Sequence, residues 1–205
     1  MSQIKPRNAT RDEILKVSVS LFARRGYEGV SMREIAMAVG IQAAALYYHF
    51  PDKQSLYFAV MEHAFKNRMK KPTDALNSTE PPLRRLKNFL ANLVEVLNDE
   101  PFILVLLQRE RLDADEARKK LLMDHFFAPH FRNLAAVMAE LAPNADPILM
   151  ASSVSGMMLH HLEWRSIGYL YPDWKPEHDD SNYLIQHVFS LLQTLFGVGD
   201  EMDER

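Results

Sequence analysis

The sequence predicts an all-α protein, and three observations carry that prediction. Apolar residues recur at helical spacing along nearly all of the 205-residue chain, period-two alternation is almost absent, and Pro and Gly fall between the periodic segments. A hydrophobic content of 47% at this length is enough for a real core.

The first helix begins at Thr10, where Thr-x-x-Glu13 has the spacing of a capping box, and Gly26 can adopt the left-handed conformation that stops it. Between them Ile14, Val17, Ser18, Leu21 and Phe22 share one face. Ser31-x-x-Glu34 repeats the same start signal for the second helix. From Asp52 a longer helix runs through Leu56, Val60 and Ala64 toward Arg68, and Pro72 to Pro82 reads as a boundary or loop. Amphipathic helices are expected over Leu83–Leu97 and Pro101–Leu112, then over Ala117–Leu141 with a kink or break at Pro129. Asp146-Pro147 places an N-cap before a proline at the first helical position, so the next helix should run from there to about Tyr169. A polar loop over Tyr171–Asp180 leads to a last helix over Ser181–Phe196, which ends at Gly197 before an acidic tail.

Charge is divided unevenly along the chain. Residues 1–71 carry 12 Lys and Arg against 6 Asp and Glu, and the remainder 12 against 21, so +6 and −9 make up the net −3. Such asymmetry suits a first domain that meets phosphate backbone, because counterion release supplies most non-specific affinity for nucleic acid. The chain has no cysteine, which excludes disulfides, thiolate nucleophiles and thiolate metal sites. Its N-terminus has no apolar signal-peptide core and its longest aliphatic run, Phe102–Leu107, cannot span a bilayer, so a cytoplasmic protein without a membrane partner is expected.

The second and third helices have the makings of a helix-turn-helix. Ala36 is the small residue where two helices cross, Gly40 the turn, and Ile35, Val39, Ile41 and Leu46 the aliphatics that lock the angle. A compact helical hairpin without DNA function would use similar residues. The division expected from this reading is a helix-turn-helix domain over residues 1–52 and a larger helical domain over 53–205.

The segment Thr10–Leu56 resembles the N-terminal domain of the tetracycline-repressor (TetR) family of bacterial transcriptional regulators. The matching residues are Thr10-Arg11, Ile14-Leu15, Leu21-Phe22, Gly26-Tyr27, Val30-Ser31-Met32, Ile35-Ala36, Val39-Gly40-Ile41, Leu46-Tyr47-Tyr48-His49-Phe50, Lys53 and Leu56. The likeness covers about a quarter of the chain. It implies DNA contacts from Ser31 and Arg33 at the start of the second helix, and phosphate contacts from Tyr47, His49 and Lys53. Gln42, Ala43, Ala44 and Tyr48 are the candidates for base contact: a glutamine amide pairs bidentately with adenine, and alanine methyls meet thymine methyls. Gln42-Ala43-Ala44-Ala45 departs from the serine, threonine or glycine that the family often carries there. Lys5, Arg7 and Arg11 are candidates for a basic arm, whereas Phe50 suits the core.

Helix-turn-helix proteins usually act as two-fold pairs on palindromic operators, so the resemblance also implies a homodimer. The last two helices are the candidates. Ala151, Ser152, Ser155 and Gly156 make a small-residue face, and Leu184, Val188, Leu191, Leu192 and Leu195 an apolar stripe, although both could pack within one subunit. The family likeness further implies a repressor whose operator binding is relieved by a small-molecule effector in the second domain. Phe102, Leu106, Phe126, Phe127, Phe131, Met157, Met158, His161 and Trp164 are the pocket candidates, and the same residues at helical spacing also make ordinary core.

An enzyme is not expected, since the chain has no Gly-rich phosphate loop and no His-Glu-x-x-His pattern. His160-His161-x-Glu163 lacks a third ligand at a telling spacing, and neither metal nor other cofactor is expected. A helical partner-binding module is the remaining alternative, and it would show no salt-dependent affinity for duplexes.

Overall fold

The computed structural model describes residues 9–66, 68–113 and 115–197, and these form helices and turns with no strand among them. Lys5 and Arg7 of the expected basic arm, and the acidic tail from residue 198, lie outside the described residues. The helices are α1 (Arg11–Arg25), α2 (Met32–Val39), α3 (Ala43–His49), α4 (Lys53–Phe65), α5 (Lys70–Leu76), α6 (Pro82–Asp99), α7 (Pro101–Leu112), α8 (Glu116–Leu122), α9 (Ala128–Leu141), α10 (Pro147–Gly168) and α11 (Ser181–Phe196).

They pack as two compact units, residues 1–67 with 100–126, and residues 68–99 with 127–205. In the first, α1 packs against α2, α4 and α7, and α2 against α3. Ile14, Phe22, Ile35, Leu46, Leu56 and Val60 are fully buried there. Helix α4 therefore shares a core with the helix-turn-helix, and α7 and α8 join them. In the second unit α6 packs on α5, α9 and α11, and α10 on α9 and α11, around Leu86, Leu90, Leu134, Val137, Val154, Met158 and Val188. Each buried aliphatic side chain contributes about 1.5–3 kcal/mol, and an exposed, solvent-screened ion pair such as Lys16–Asp12 far less, so burial decides both units.

Both capping boxes form. The Thr10 backbone N–H donates to Glu13 Oε2 at 2.8 Å while Glu13 N–H donates to the Thr10 hydroxyl at 3.2 Å. Ser31 and Glu34 make the same pair of bonds at 2.8 and 3.3 Å. Asp52, Asp146 and Asp180 cap α4, α10 and α11 through their carboxylates. Gly26 does not take the left-handed helical conformation that was expected: its φ is positive at 72°, but ψ is extended at 175°.

Two stretches expected to be loops contain helix. Lys70–Leu76 is helical because Pro72 falls within the first turn, where its missing N–H has no helical partner to lose. Pro176–Asp179 forms one 3₁₀ turn inside the polar loop. The break expected at Pro129 is present as a five-residue π-helical turn, Met123–Phe127, which widens the helix ahead of the proline ring.

Gly40 closes α2 at φ 78°, ψ 31°, a left-handed residue. Its N–H reaches the Met37 carbonyl at 3.1 Å and Ile41 N–H reaches that of Ala36 at 2.9 Å, the two bonds of a Schellman motif, with Ile41 buried behind them. A Cβ on Gly40 would meet nothing within 4 Å, whereas one on Gly29 would lie 2.2 Å from the Arg25 carbonyl oxygen. Gly40→Ala should therefore cost only the left-handed penalty, about 1–2 kcal/mol in urea unfolding, and Gly29→Ala should cost more because backbone must move.

Glu34 is held well below the usual 4.5, at about 2, by hydrogen bonds from the Ser31 hydroxyl and backbone and by the nearby Arg25 guanidinium. A folded value below the unfolded one means that this contribution is complete above pH 4.5 and lost as the pH falls toward 2. Glu34→Gln should lower stability at pH 7 and flatten the decline between those two pH values, as followed by circular dichroism during acid titration.

Candidate nucleic-acid interface

The α2–α3 pair is held from behind and left open in front. Ala36 is 2% exposed at the crossing, Ile35 and Leu46 are fully buried, and Ile41 and Phe50 complete the lock. With that side committed to the core, α3 presents Gln42, Ala44, Tyr47 and Tyr48 to solvent, Tyr48 being 88% exposed. Ala44 and Tyr48 lie one turn apart on one line of the helix, and half-buried Ala43 lies one turn before Tyr47. Gln42 starts α3 without using its side chain in a cap, which leaves the amide to point elsewhere. An exposed tyrosine and two alanines on a short helix form a surface that folding alone does not require.

Ser31, Arg33, Tyr47 and Lys53 line one open hollow together with Arg25, Glu28 and Glu34. Three cations thus face two carboxylates there. Each carboxylate already pairs with one of those cations. Glu34 is tied into the cap and pairs with Arg25 at 2.8 Å, while exposed Glu28 is 3.8 Å from Lys53. Arg33 is exposed. The Ser31 hydroxyl donates to Glu34 at 2.7 Å, so its side chain already serves the cap. His49 is half-buried, edge-on to Tyr48 with ring centroids 5.5 Å apart. Arg11 at the head of α1 lies over the Phe50 ring at 5.2 Å.

Two groups that the sequence reading did not single out support this face. Arg109 of α7 donates from Nε to the Ala23 carbonyl at 2.5 Å and from Nη2 to that of Arg24, so a cation distant in sequence satisfies the open end of α1. Arg118 of α8, 3% exposed, lies over the ring of Tyr27 at 4.1 Å and pairs with Glu110, Asp113 and Asp115. Tyr57 donates its hydroxyl to Glu110, and burial pushes the tyrosine's pKa far up. The run Glu110 to Arg118, with charges between two apolar helices, was the available signal for this cluster.

The pocket candidates are divided between the two units. Phe102, Leu106 and Phe126 belong to the first unit, where Leu106 and Phe126 are buried and the guanidinium of Arg24 lies over Phe102. Phe127, Phe131, Met157, Met158, His161 and Trp164 belong to the second. Met158 is fully buried, and Trp164 packs on Tyr171 with centroids 5.1 Å apart. His161 lines a cavity of about 210 Å³ with Trp174, His178, Tyr183, Leu184 and His187. Burial, His187 and His160 push its pKa down, which keeps the ring neutral. Among the described residues no group of three or more acidic, His or Cys side chains is placed to hold a metal, and no helix is long and apolar enough to cross a membrane.

The stripe on the last two helices is divided between two surfaces. Ala151, Leu184, Val188 and Leu192 are buried within the subunit, while Ser152, Gly156, Leu191 and Leu195 face outward. Leu191 and Leu195 are 47% and 63% exposed, and Leu149, on the same face of α10 as Ser152 and Gly156, is 67% exposed.

Comparison with known proteins places this geometry. Residues 14–60 match the profile of bacterial regulatory proteins of the tetR family. YerO of Bacillus subtilis (strain 168), an uncharacterised HTH-type transcriptional regulator, is 32% identical over 108 residues, which cover 51% of this chain and 37% of that protein. The HTH-type transcriptional repressor KstR2 of Mycobacterium tuberculosis is 28% identical over 103 residues, 50% of this chain and 52% of that one. The chain thus spans about half or less of the length of these curated relatives. A crystal structure of AibR in complex with isovaleryl coenzyme A and operator DNA shares the fold, with a TM-score of 0.71 and 21% identity, covering 88% of this chain and 96% of AibR. The α2–α3 pair and its open face thus lie within residues 14–60, the part of the chain that is similar to bacterial regulatory proteins of the tetR family.

Proposed function

We propose that this protein is a sequence-specific, DNA-binding transcriptional repressor that acts as a homodimer and releases its operator on binding a small molecule. The observation that carries the reading is the hollow in which Ser31, Arg33, Tyr47 and Lys53 converge beside an α3 face bearing Gln42, Ala43, Ala44 and Tyr48. Tyr47, His49, Lys53 and Arg33 serve the phosphates, and the sparse amide and methyl groups of α3 serve base edges. Ser31 contributes chiefly by shaping the start of α2, since its hydroxyl is engaged by Glu34.

One seven-residue helix reads few bases, so discrimination calls for a second copy. The outward leucines of α11 and the small residues of α10 supply a self-complementary surface for it. Regulation belongs to the second unit, where Phe127, Phe131, Met157, Met158, His161 and Trp164 lie and where the cavity beside His161 admits a small apolar or amphipathic group. AibR, with its acyl-coenzyme A and operator, lends the ligand reading support by analogy. An effector that prefers the conformation with misplaced heads weakens operator binding by linkage.

Tyr47→Ala and Lys53→Glu should each weaken binding about equally across duplex sequences, and Lys53→Glu should also reduce the salt dependence of affinity, with the dimer intact. Fluorescence anisotropy at several salt concentrations checks this, and unchanged affinity in both variants would count against the interface. Leu191→Glu combined with Leu195→Glu should give a folded monomer in sedimentation, with operator affinity reduced at least about tenfold.

A further inference from the structure

We infer that Tyr27 is a positioning residue for Lys53, holding the ammonium ready for a phosphate, and that Arg118 holds Tyr27 in turn. The inference rests on the proposed DNA-binding function and adds to it a ring and a buried cation that touch no DNA.

The Tyr27 ring lies in the turn after α1, and the Lys53 ammonium is 4.2 Å from its centroid. Cations favour such ring faces. Lys53 is also one of the less exposed lysines: its side chain is 23% exposed, close to the 28% of Lys119 and against 62–74% for Lys16, Lys66, Lys70 and Lys71. A lysine already confined on a ring loses less rotamer freedom when it meets a phosphate than one sweeping through solvent. The carboxylate beside it is also the replaceable kind, since Glu28 is 84% exposed and 3.8 Å away. A phosphate oxygen can take the place of Glu28 while the ring contact stays.

The ring is held on its other contacts. The Arg118 guanidinium lies over it at 4.1 Å, the Tyr57 ring meets it edge-on at 5.0 Å, and Phe22 stacks near-parallel at 6.2 Å. Two cations on one ring repel each other unless each has its own anion. Arg118 has Glu110, Asp113 and Asp115, and Lys53 has Glu28. Arg118 and Glu110 are 3% and 7% exposed, so water does not substitute for either. Burial also raises the Tyr27 phenol pKa, which keeps the ring neutral between its two cations.

The test is a double-mutant cycle on binding to a mixed-sequence duplex of about 40 base pairs at low salt, where phosphate contacts dominate. Tyr27→Phe, which keeps the ring, should bind like the wild type. Tyr27→Leu should bind about 2- to 10-fold more weakly, and it should add no further loss in a Lys53→Ala background. Equal losses from Tyr27→Leu in both backgrounds would overturn the inference, because the ring would then act on the scaffold and not through Lys53. Arg118→Met should show the same silence behind Lys53→Ala. A measurement on the unmodified fold stands beside these variants: NMR of lysine-labelled wild-type protein should show, besides any shift of Lys87 over the Phe189 ring, a side chain shifted upfield by the ring current that is absent in Lys53→Arg and retained when the duplex is added. Loss of that shift on adding the duplex would also overturn it. A wild-type chain that binds no duplex at all removes the proposed function, and this inference with it, whereas binding with additive losses removes the inference alone.

Discussion

The turn between α2 and α3 is the constraint on which the first unit's exposed α3 face depends. Gly40 takes a left-handed conformation that costs an L-residue about 1–2 kcal/mol, and its N–H and that of Ile41 donate to the Met37 and Ala36 carbonyls, the two bonds of the Schellman motif. That geometry swings Ile41 into the core and starts α3 at an angle that buries Leu46. Once Leu46 and Phe50 point inward, helical periodicity leaves Ala44, Tyr47 and Tyr48 on the outside. Ala36 permits the close crossing that makes the angle stable. The outward face thus follows from an inward commitment by a few aliphatic side chains.

Electrostatics then divide the cations by task. Arg109 and Arg118 are spent on structure, the first closing the carbonyl end of α1 and the second buried among three carboxylates and two tyrosine rings. A buried guanidinium is expensive to desolvate and stays only because those anions and ring faces surround it, so its removal would leave Glu110 and Asp113 uncompensated. Arg25 is tied to Glu34 at the α2 cap. Arg33 remains exposed, and Lys53 is lightly held by an exposed carboxylate. Among the described residues several of the cations behind the +6 charge of residues 1–71 are therefore already paired, and the arrangement of a few residues matters more than the sum.

The two last helices show a similar division of labour in apolar form. A stripe that reads as one surface in sequence has Leu184, Val188 and Leu192 turned into the subunit and Leu191 and Leu195 turned out. Helix α11 is apolar on more of its circumference than one interface needs, as suits a helix with a core on one side and an outward apolar face on the other.

Local chemistry was legible in the sequence wherever neighbours within a few residues decide the outcome. Both capping boxes, the Gly40 turn, the Asp-Pro start of α10 and the stop at Gly197 each depend on contacts three or four residues apart, and each forms. Pro72 misled, because a proline reads as a breaker until its place in the first turn is known. The outward positions of Ala44, Tyr47 and Tyr48 were legible for the same reason, the spacing of α2, turn and α3 leaving little freedom. What sequence could not show was anything that joins distant segments. Arg109 on the end of α1, Arg118 on Tyr27 and Tyr57, and the choice of which leucines of α11 face inward are set by how helices pack. The sequence by itself determined the helix starts and stops that are set by caps and turns within a few residues, and which face of α3 carries the polar reach. Only the tertiary structure decided which cations are free and which apolar faces stay open, because burial and pairing are properties of side chains brought together from far apart in the chain.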